Sequence, residues 1–158
     1  MTQPDSQDTF GRYSETAVLA LYYSRAALTE HGGKAIELAH LLFGLLKAAD
    51  TDMSRVLSQG VALQPLAECL ISRVSSPDLP DESVEVPFAA ETKSVLHGAT
   101  VIANEYAHDV IRPEHLLLSL LRHNTGPAVE CLRRAGVDTG RAGAELADVL
   151  KGRAHYAV

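Results

Sequence analysis

The sequence predicts an all-α protein of eight helices, arranged as two tandem four-helix repeats with pseudo-two-fold symmetry. Three observations predict it. Apolar residues make up 46% of the chain, Trp is absent and aromatics reach only 5%. Leu, Ala, Val and Ile must therefore fill the interior, and Leu and Ala are strong helix formers. Apolar residues recur at three- and four-residue spacing in one segment after another. The landmarks of the first half then return in the same order in the second.

Residues 1–9 are polar and predict a disordered leader. Ser14 is a candidate N-cap, with Glu15 in the first turn of a helix reaching about His31. Val18, Leu21, Tyr22 and Ala26 form its apolar stripe, and Gly32-Gly33 stops it. A second helix starts near Leu38 and carries His40-Leu-Leu-Phe-Gly-Leu-Leu46, apolar almost all round and therefore central. Asp50-Thr-Asp52 caps a short third helix through Leu57, ending at Gly60. Leu63, Leu66, Ala67, Leu70, Ile71 and Val74 give the stripe of a fourth, with Pro65 tolerated in its first turn. Residues 75–87, with three prolines and four acids, read as a linker.

The pattern then restarts. Val95, Ala99, Ile102, Ala103 and Tyr106 mark a fifth helix, and His115-Leu-Leu-Leu-Ser-Leu-Leu121 repeats the buried one. Pro127 to Ala135 form a seventh, closed by Gly136. Thr139 caps an eighth, whose inner face is Ala142, Leu146, Val149 and Leu150. The organisation is thus a leader at 1–9, repeats at 10–74 and 88–152, a Pro-rich acidic linker at 75–87 and a tail at 153–158. Phe10 pairs with Phe88, Val18-Leu19 with Val95-Leu96, Glu30-His31 with Ala107-His108, and His40 with His115. Such packing leaves a groove between the halves, the natural place for a ligand.

The bulk properties exclude several classes. The formal charge is −6 and no basic run exceeds Arg133-Arg134, which argues against nucleic acid and against an anionic membrane surface. No apolar stretch approaches the ~20 residues that span a bilayer. A cytoplasmic location is the default, and Cys69 and Cys131 read as two reduced, buried thiols. No H-x-x-x-H or H-E-x-x-H, Gly-x-Ser-x-Gly elbow or Cys–His signature occurs, so no metal, cofactor or catalytic residue is expected.

With Phe10-Gly-Arg-Tyr-Ser-Glu-Thr-Ala-Val-Leu, Ala39-His40-Leu-Leu-Phe-Gly-Leu-Leu and Val56-Leu57 in one half, and Phe88, Val95-Leu96, Pro113-Glu114-His115-Leu-Leu-Leu-Ser-Leu-Leu and Cys131-Leu132 in the other, the chain resembles the N-terminal domain of the Clp (Hsp100) AAA+ unfoldases, ClpC/ClpA type. The resemblance covers about residues 10–152. It implies a non-catalytic docking platform for Clp unfoldase and protease components, adaptor proteins and substrate degrons, and in the ClpC-type branch for phosphorylated arginine and cyclic-peptide antibiotics. Phe10, Phe88 and Lys93 match positions lining the family's antibiotic-binding groove. Glu114 matches the carboxylate that receives the phosphoarginine guanidinium, while its first-half counterpart is Ala39. No G-x-x-x-x-G-K-[ST] loop is present, so the chain is either free-standing or part of a longer unfoldase, and the polar leader favours the former. Two other readings stay open: a scavenger that sequesters an antibiotic or a phosphoarginine degron, and an unrecognised small enzyme.

The same residues have plain structural readings. His40 and His115 at helix starts read as imidazoles bonded to nearby backbone. Glu114 at a helix N-terminus favours the macrodipole. Phe10 and Phe88 can pack on the helices that follow them while also lining a groove. Asp78, Asp81, Glu82 and Glu85 read as a solvated linker.

Overall fold

The computed structural model describes residues 10–49, 51–57, 63–76 and 86–152. Among these the chain forms helices α1 (Glu15–His31), α2 (Leu38–Ala48), α3 (Thr51–Leu57), α4 (Leu63–Val74), α5 (Ala90–Glu105), α6 (Pro113–His123), α7 (Pro127–Arg134) and α8 (Thr139–Gly152). The protein is all-α, as its composition and periodicity predict. The leader, the four linker acids, Gly60 and the tail lie outside the described residues.

α1 starts where Ser14 Oγ accepts the Ala17 N–H at 3.1 Å, and ends where Gly32, at φ 96°, donates its N–H to the Leu28 carbonyl. α2 and α6 share a different start. His40 Nδ1 accepts the Glu37 N–H at 2.9 Å, and His115 Nδ1 accepts the Arg112 N–H at 2.8 Å. Each imidazole thus fills the role that Glu or Gln plays in a capping box. α8 is capped by Asp138, whose Oδ1 accepts the Arg141 N–H. The cap therefore falls one residue before Thr139, since an aspartate there satisfies the free amides and leaves Thr139 as the first helical residue.

The main core is one cluster drawing on both repeats, with a small second cluster of Leu28, Ile36 and Val86 apart from it. α2 and α6 lie at the centre of the main cluster, with Leu41, Leu42, Leu45, Leu116, Leu117 and Leu120 fully buried. α1 packs on α2 and α5 on α6; α2 packs on α4 and α6 on α8. The two sets of helices are joined reciprocally, α4 against α7 and α8 against α3.

The buried face of α1 differs from the expected stripe. Ala17, Ala20, Ser24, Ala27 and Leu28 face the core; of the expected stripe only Leu21 packs partly against it, while Val18 and Tyr22 are 46% and 66% exposed and Ala26 is exposed too. The reason is the closeness of α1 to α2. A Cβ on Gly44 would collide with the Ala20 carbonyl and the Ser24 hydroxyl, and only small residues fit such an approach.

The cysteines are also not free thiols. Cys69 on α4 and Cys131 on α7 form a disulfide with Cα atoms 5.8 Å apart. Cys131 is fully buried and Cys69 half-buried. Their 62-residue separation hides a proximity that only the packing of α4 on α7 creates.

Candidate functional site

Two short backbone seams stitch one repeat to the other. In the first, Ile111 N–H donates to the Arg12 carbonyl at 2.8 Å and Ser14 N–H donates to the Ile111 carbonyl at 2.9 Å. In the second, Ile36 N–H donates to the Pro87 carbonyl and Ala89 N–H donates to the Ile36 carbonyl, both at 2.9 Å. These are the parallel bridges Tyr13–Ile111 and Ile36–Phe88. Each pairs the segment before the long helix of one repeat with the segment before the buried helix of the other, as a pseudo-two-fold requires.

The seams set the register of the repeat. Tyr13, not Phe10, is the counterpart of Phe88, and Ile36 is the counterpart of Ile111. The same shift equates Ala20 with Val95, and Gly32-Gly33 with Ala107-His108. The pairings of Phe10 with Phe88, Val18-Leu19 with Val95-Leu96, and Glu30-His31 with Ala107-His108 are therefore corrected by two or three residues. Similar residue types lie close enough in the sequence to mimic a slipped match.

Phe10 nevertheless reaches Phe88. Its ring lies edge-on to Tyr13 at 5.1 Å and to Phe88 at 6.2 Å. Because Tyr13 and Phe88 are equivalent, Phe10 sits between the two seams, near the pseudo-axis. Phe88 is half-buried on a small cluster of Leu28, Ile36 and Val86. Lys93 is exposed on the first turn of α5, where its N–H donates to the Ala89 carbonyl. Tyr13 is largely buried, which raises its phenol to about 12.

A cleft of about 600 Å³ opens along the first seam, starting at Gly11 beside Phe10 and bounded by Arg12, Thr16, Asp109 and Arg112. Arg12 is held there by the carbonyls of His108 and Asp109, at 3.0 and 3.2 Å. Glu114 lies just inside. It is fully buried, and its Oε2 pairs with the Arg112 guanidinium at 3.2 Å. Behind it, His108 Nδ1 and His115 Nε2 are 2.9 Å apart. Since the His115 Nδ1 is an acceptor, its Nε2 carries the hydrogen and donates to His108. Burial first, and the neighbouring His108 second, depress His115 to about 4.

The second seam is arranged differently. The place of Arg112 is taken by Glu37 and that of Glu114 by Ala39. The cavity there is only about 40 Å³, walled by Ala39, Glu91, Arg73, Val74 and Pro127. Burial lowers His40, as it does its counterpart. Gly33 stands where His108 stands in the other half, against the His40 ring.

Phe10 and Phe88 are thus brought together, Lys93 lies one turn beyond Phe88, and Glu114 sits apart from them behind Arg112. Sequence reading missed Arg112 and His108. The signal for Arg112 was a cation two residues before Glu114. His108 had no signal beyond standing opposite a glycine.

An all-helical, two-repeat platform with a cleft at the repeat junction is the architecture of a Clp N-terminal domain. Residues 87–155 match the model of the Clp repeat (R) N-terminal domain. The chain is 29% identical over 136 residues to the chloroplastic chaperone protein ClpD2 of Oryza sativa subsp. japonica, covering 84% of this chain and 14% of that protein. It is 31% identical over 133 residues to the chloroplastic ClpC2 of Arabidopsis thaliana, covering 82% of this chain and 14% of the relative. The crystal structure of the N-terminal domain of Arabidopsis thaliana ClpD superposes with a TM-score of 0.74 at 26% identity, covering 90% of this chain and 97% of that one. The second half of the chain therefore matches the Clp N-terminal repeat domain, and the chain as a whole is similar in sequence and fold to the N-terminal regions of ClpC and ClpD chaperones. It spans only 14% of the length of ClpD2 and ClpC2. Among the described residues no helix is long and apolar enough to cross a membrane.

Proposed function

We propose that this chain is a non-catalytic docking domain in Clp-dependent proteolysis, which takes adaptors, degrons or cyclic peptides at the junction of its repeats. The observation that carries this reading is the half-buried Phe10–Phe88 ring pair joining the two repeats, with Phe10 also stacked edge-on against Tyr13, a wall of the cleft along the first seam. A rigid aromatic anchor beside a groove is the usual centre of a peptide-binding site. Lys93, exposed on the first turn of α5 after Phe88, adds a cation near the pair. The family resemblance supplies the class of ligand.

Glu114 supports a narrower reading of phosphoarginine. A carboxylate can hold a guanidinium side-on, but Arg112 already occupies this one, and a ligand arginine would have to displace it. The Ala39 site offers no carboxylate at the corresponding position. The aromatic pair therefore favours a ligand with an apolar anchor, its polar groups meeting the cleft walls Arg12, Asp109 and Arg112, over phosphoarginine.

The test is a side-by-side titration of the purified chain with a cyclic-peptide Clp ligand and a phosphoarginine peptide. The expected result is binding of the cyclic peptide and at least tenfold weaker binding of the phosphopeptide, a difference of about 1.4 kcal/mol or more. Equal or tighter binding of the phosphopeptide would remove the apolar-groove reading.

A further inference from the structure

We propose that the Cys69–Cys131 disulfide is a reversible clamp between the repeats that sets the width of the cavity at Ala39, so that reduction opens this side of the molecule. The inference does not depend on which ligand docks at the Phe10–Phe88 groove.

The geometry is directional. Cys69 lies one helical turn before Arg73 on α4, and Cys131 one turn after Pro127 on α7. Arg73 and Pro127 are walls of the cavity, with Val74 and Ala39 beside them. Between the bond and the cavity lies an ion pair, Arg73 to Glu130 at 2.8 Å. Disulfide, ion pair and cavity wall thus follow one another along the α4–α7 contact. The ion pair is exposed, and such pairs are worth little in water. The covalent bond is the strong restraint.

The mirror contact carries no such bond. α3 packs on α8 as α7 packs on α4, but neither α3 nor α8 carries a cysteine. The clamp therefore acts on one side only, the side where the cavity is small. Two thiols in van der Waals contact need more room than two bonded sulfurs, so reduction pushes α4 and α7 apart next to the cavity.

The reductant is a dithiol of the thioredoxin class. Its thiolate attacks one sulfur, forming a mixed disulfide with that cysteine and releasing the other cysteine as a thiolate that takes up a proton; its second thiol then attacks the mixed disulfide and displaces the first cysteine. Two electrons and two protons pass to Cys69 and Cys131, and the dithiol becomes a disulfide. Cys69 is half-buried while Cys131 is fully buried, so Cys69 is the cysteine nearer solvent.

The test uses the full chain. It is alkylated in denaturant with and without prior reduction, and the mass is read. Hydrogen exchange is then followed in the oxidised chain, the reduced chain and a double variant, Cys69→Ala with Cys131→Ala. The proposal expects no alkylation before reduction and two labels after it. It expects exchange about tenfold or more faster in α4 and α7 of the reduced chain, with α1, α2, α5 and α6 unchanged. The double variant should match the reduced chain and ignore reductant. Full alkylation without reductant overturns the bond. Unchanged exchange in α4 and α7 overturns the clamp. Faster exchange throughout the reduced chain and the variant also overturns it, because the bond would then hold the whole fold and not one side.

Discussion

The two repeats satisfy the same carbonyl from opposite helices. In the first repeat the Ala20 carbonyl accepts the hydroxyl of Ser24 from its own helix, α1, at 2.7 Å, and the facing residue on α2 is Gly44. In the second, the equivalent Val95 carbonyl accepts the hydroxyl of Ser119 from α6, also at 2.7 Å. Ser119 stands in the place of Gly44, and the space it needs is provided by Gly98 on α5. One repeat thus packs its first two helices backbone to backbone, and the other keeps a side chain between them. What the halves share is a satisfied carbonyl and a small residue opposite a serine, not the residue at either position.

A second contrast lies behind the seams. Both repeats use a buried histidine to cap the central helix, but His115 faces another imidazole where His40 faces Gly33. This yields the largest expected effect. His115 is depressed to about 4, so the folded state binds its proton less tightly than the unfolded state, where the pKa is near 6.5. Its stabilisation is complete above pH 6.5 and is lost as the pH falls through the window from 6.5 to 4. The loss amounts to about 3 kcal/mol for that shift. His40 is lowered too and adds in the same direction. Unfolding midpoints in denaturant between pH 7 and 4, with the His115 ring titrated by NMR, check this. A ring that titrates near 6.5 would contradict it.

The glycine contrast predicts the next effect. Gly44→Ala places a methyl group against the backbone of Ala20 and Ser24, which cannot turn away, and overpacking of this kind costs about 1–3 kcal/mol. Gly98→Ala meets the Ser119 hydroxyl. That hydroxyl can rotate at the loss of a hydrogen bond worth about 1 kcal/mol, roughly offset by the gain in helix propensity. Thermal unfolding should show a clear loss for the first variant and little for the second. Equal losses would mean that the two helix pairs pack alike.

The smallest effect concerns the turn after the long helices. Gly32 stands at a positive φ of 96°, and its counterpart Ala107 also holds a positive φ, 56°, with a side chain. That conformation costs a non-glycine residue about 1 kcal/mol. Ala107→Gly should stabilise the chain by up to that amount, less the entropy of the added glycine in the unfolded state. Unchanged or lower stability would show that the surroundings of Ala107 already relieve the strain.

Much of this was legible in the sequence. The start of α1 at Ser14, the central helices, the α4 stripe through Leu66, Leu70 and Val74, and the existence of a repeat follow from spacing and caps. The buried face of α1 was not legible from hydropathy. That scale favours Val18, Leu21 and Tyr22, while close packing selects Ala17, Ala20, Ser24 and Ala27. Reading a small-residue stripe together with Gly44 on the next helix would have found it. The register of the repeat was blurred because Phe10 and Tyr13 are both aromatic, and only the backbone seams decide between them. The disulfide and the Arg112–Glu114 pair depend on tertiary approach and local side-chain direction, which periodicity does not encode. Phe10 and Phe88 met despite the wrong equivalence, because Phe10 reaches across from the seam it precedes.

The central claim is that the Phe10–Phe88 pair anchors a ligand at the junction of the repeats. The most direct measurement is the affinity of Phe88→Ala for the cyclic peptide, beside its far-ultraviolet circular dichroism and unfolding midpoint. The account predicts an unchanged helical spectrum, because the seam at Phe88 is made by the backbone of Pro87, Ala89 and Ile36. It also predicts a loss of more than ~1 kcal/mol in binding, as for other buried aromatic anchors. A folded Phe88→Ala protein that binds as tightly as the parent, or a variant that simply unfolds, would make Phe88 a packing residue and move the site elsewhere.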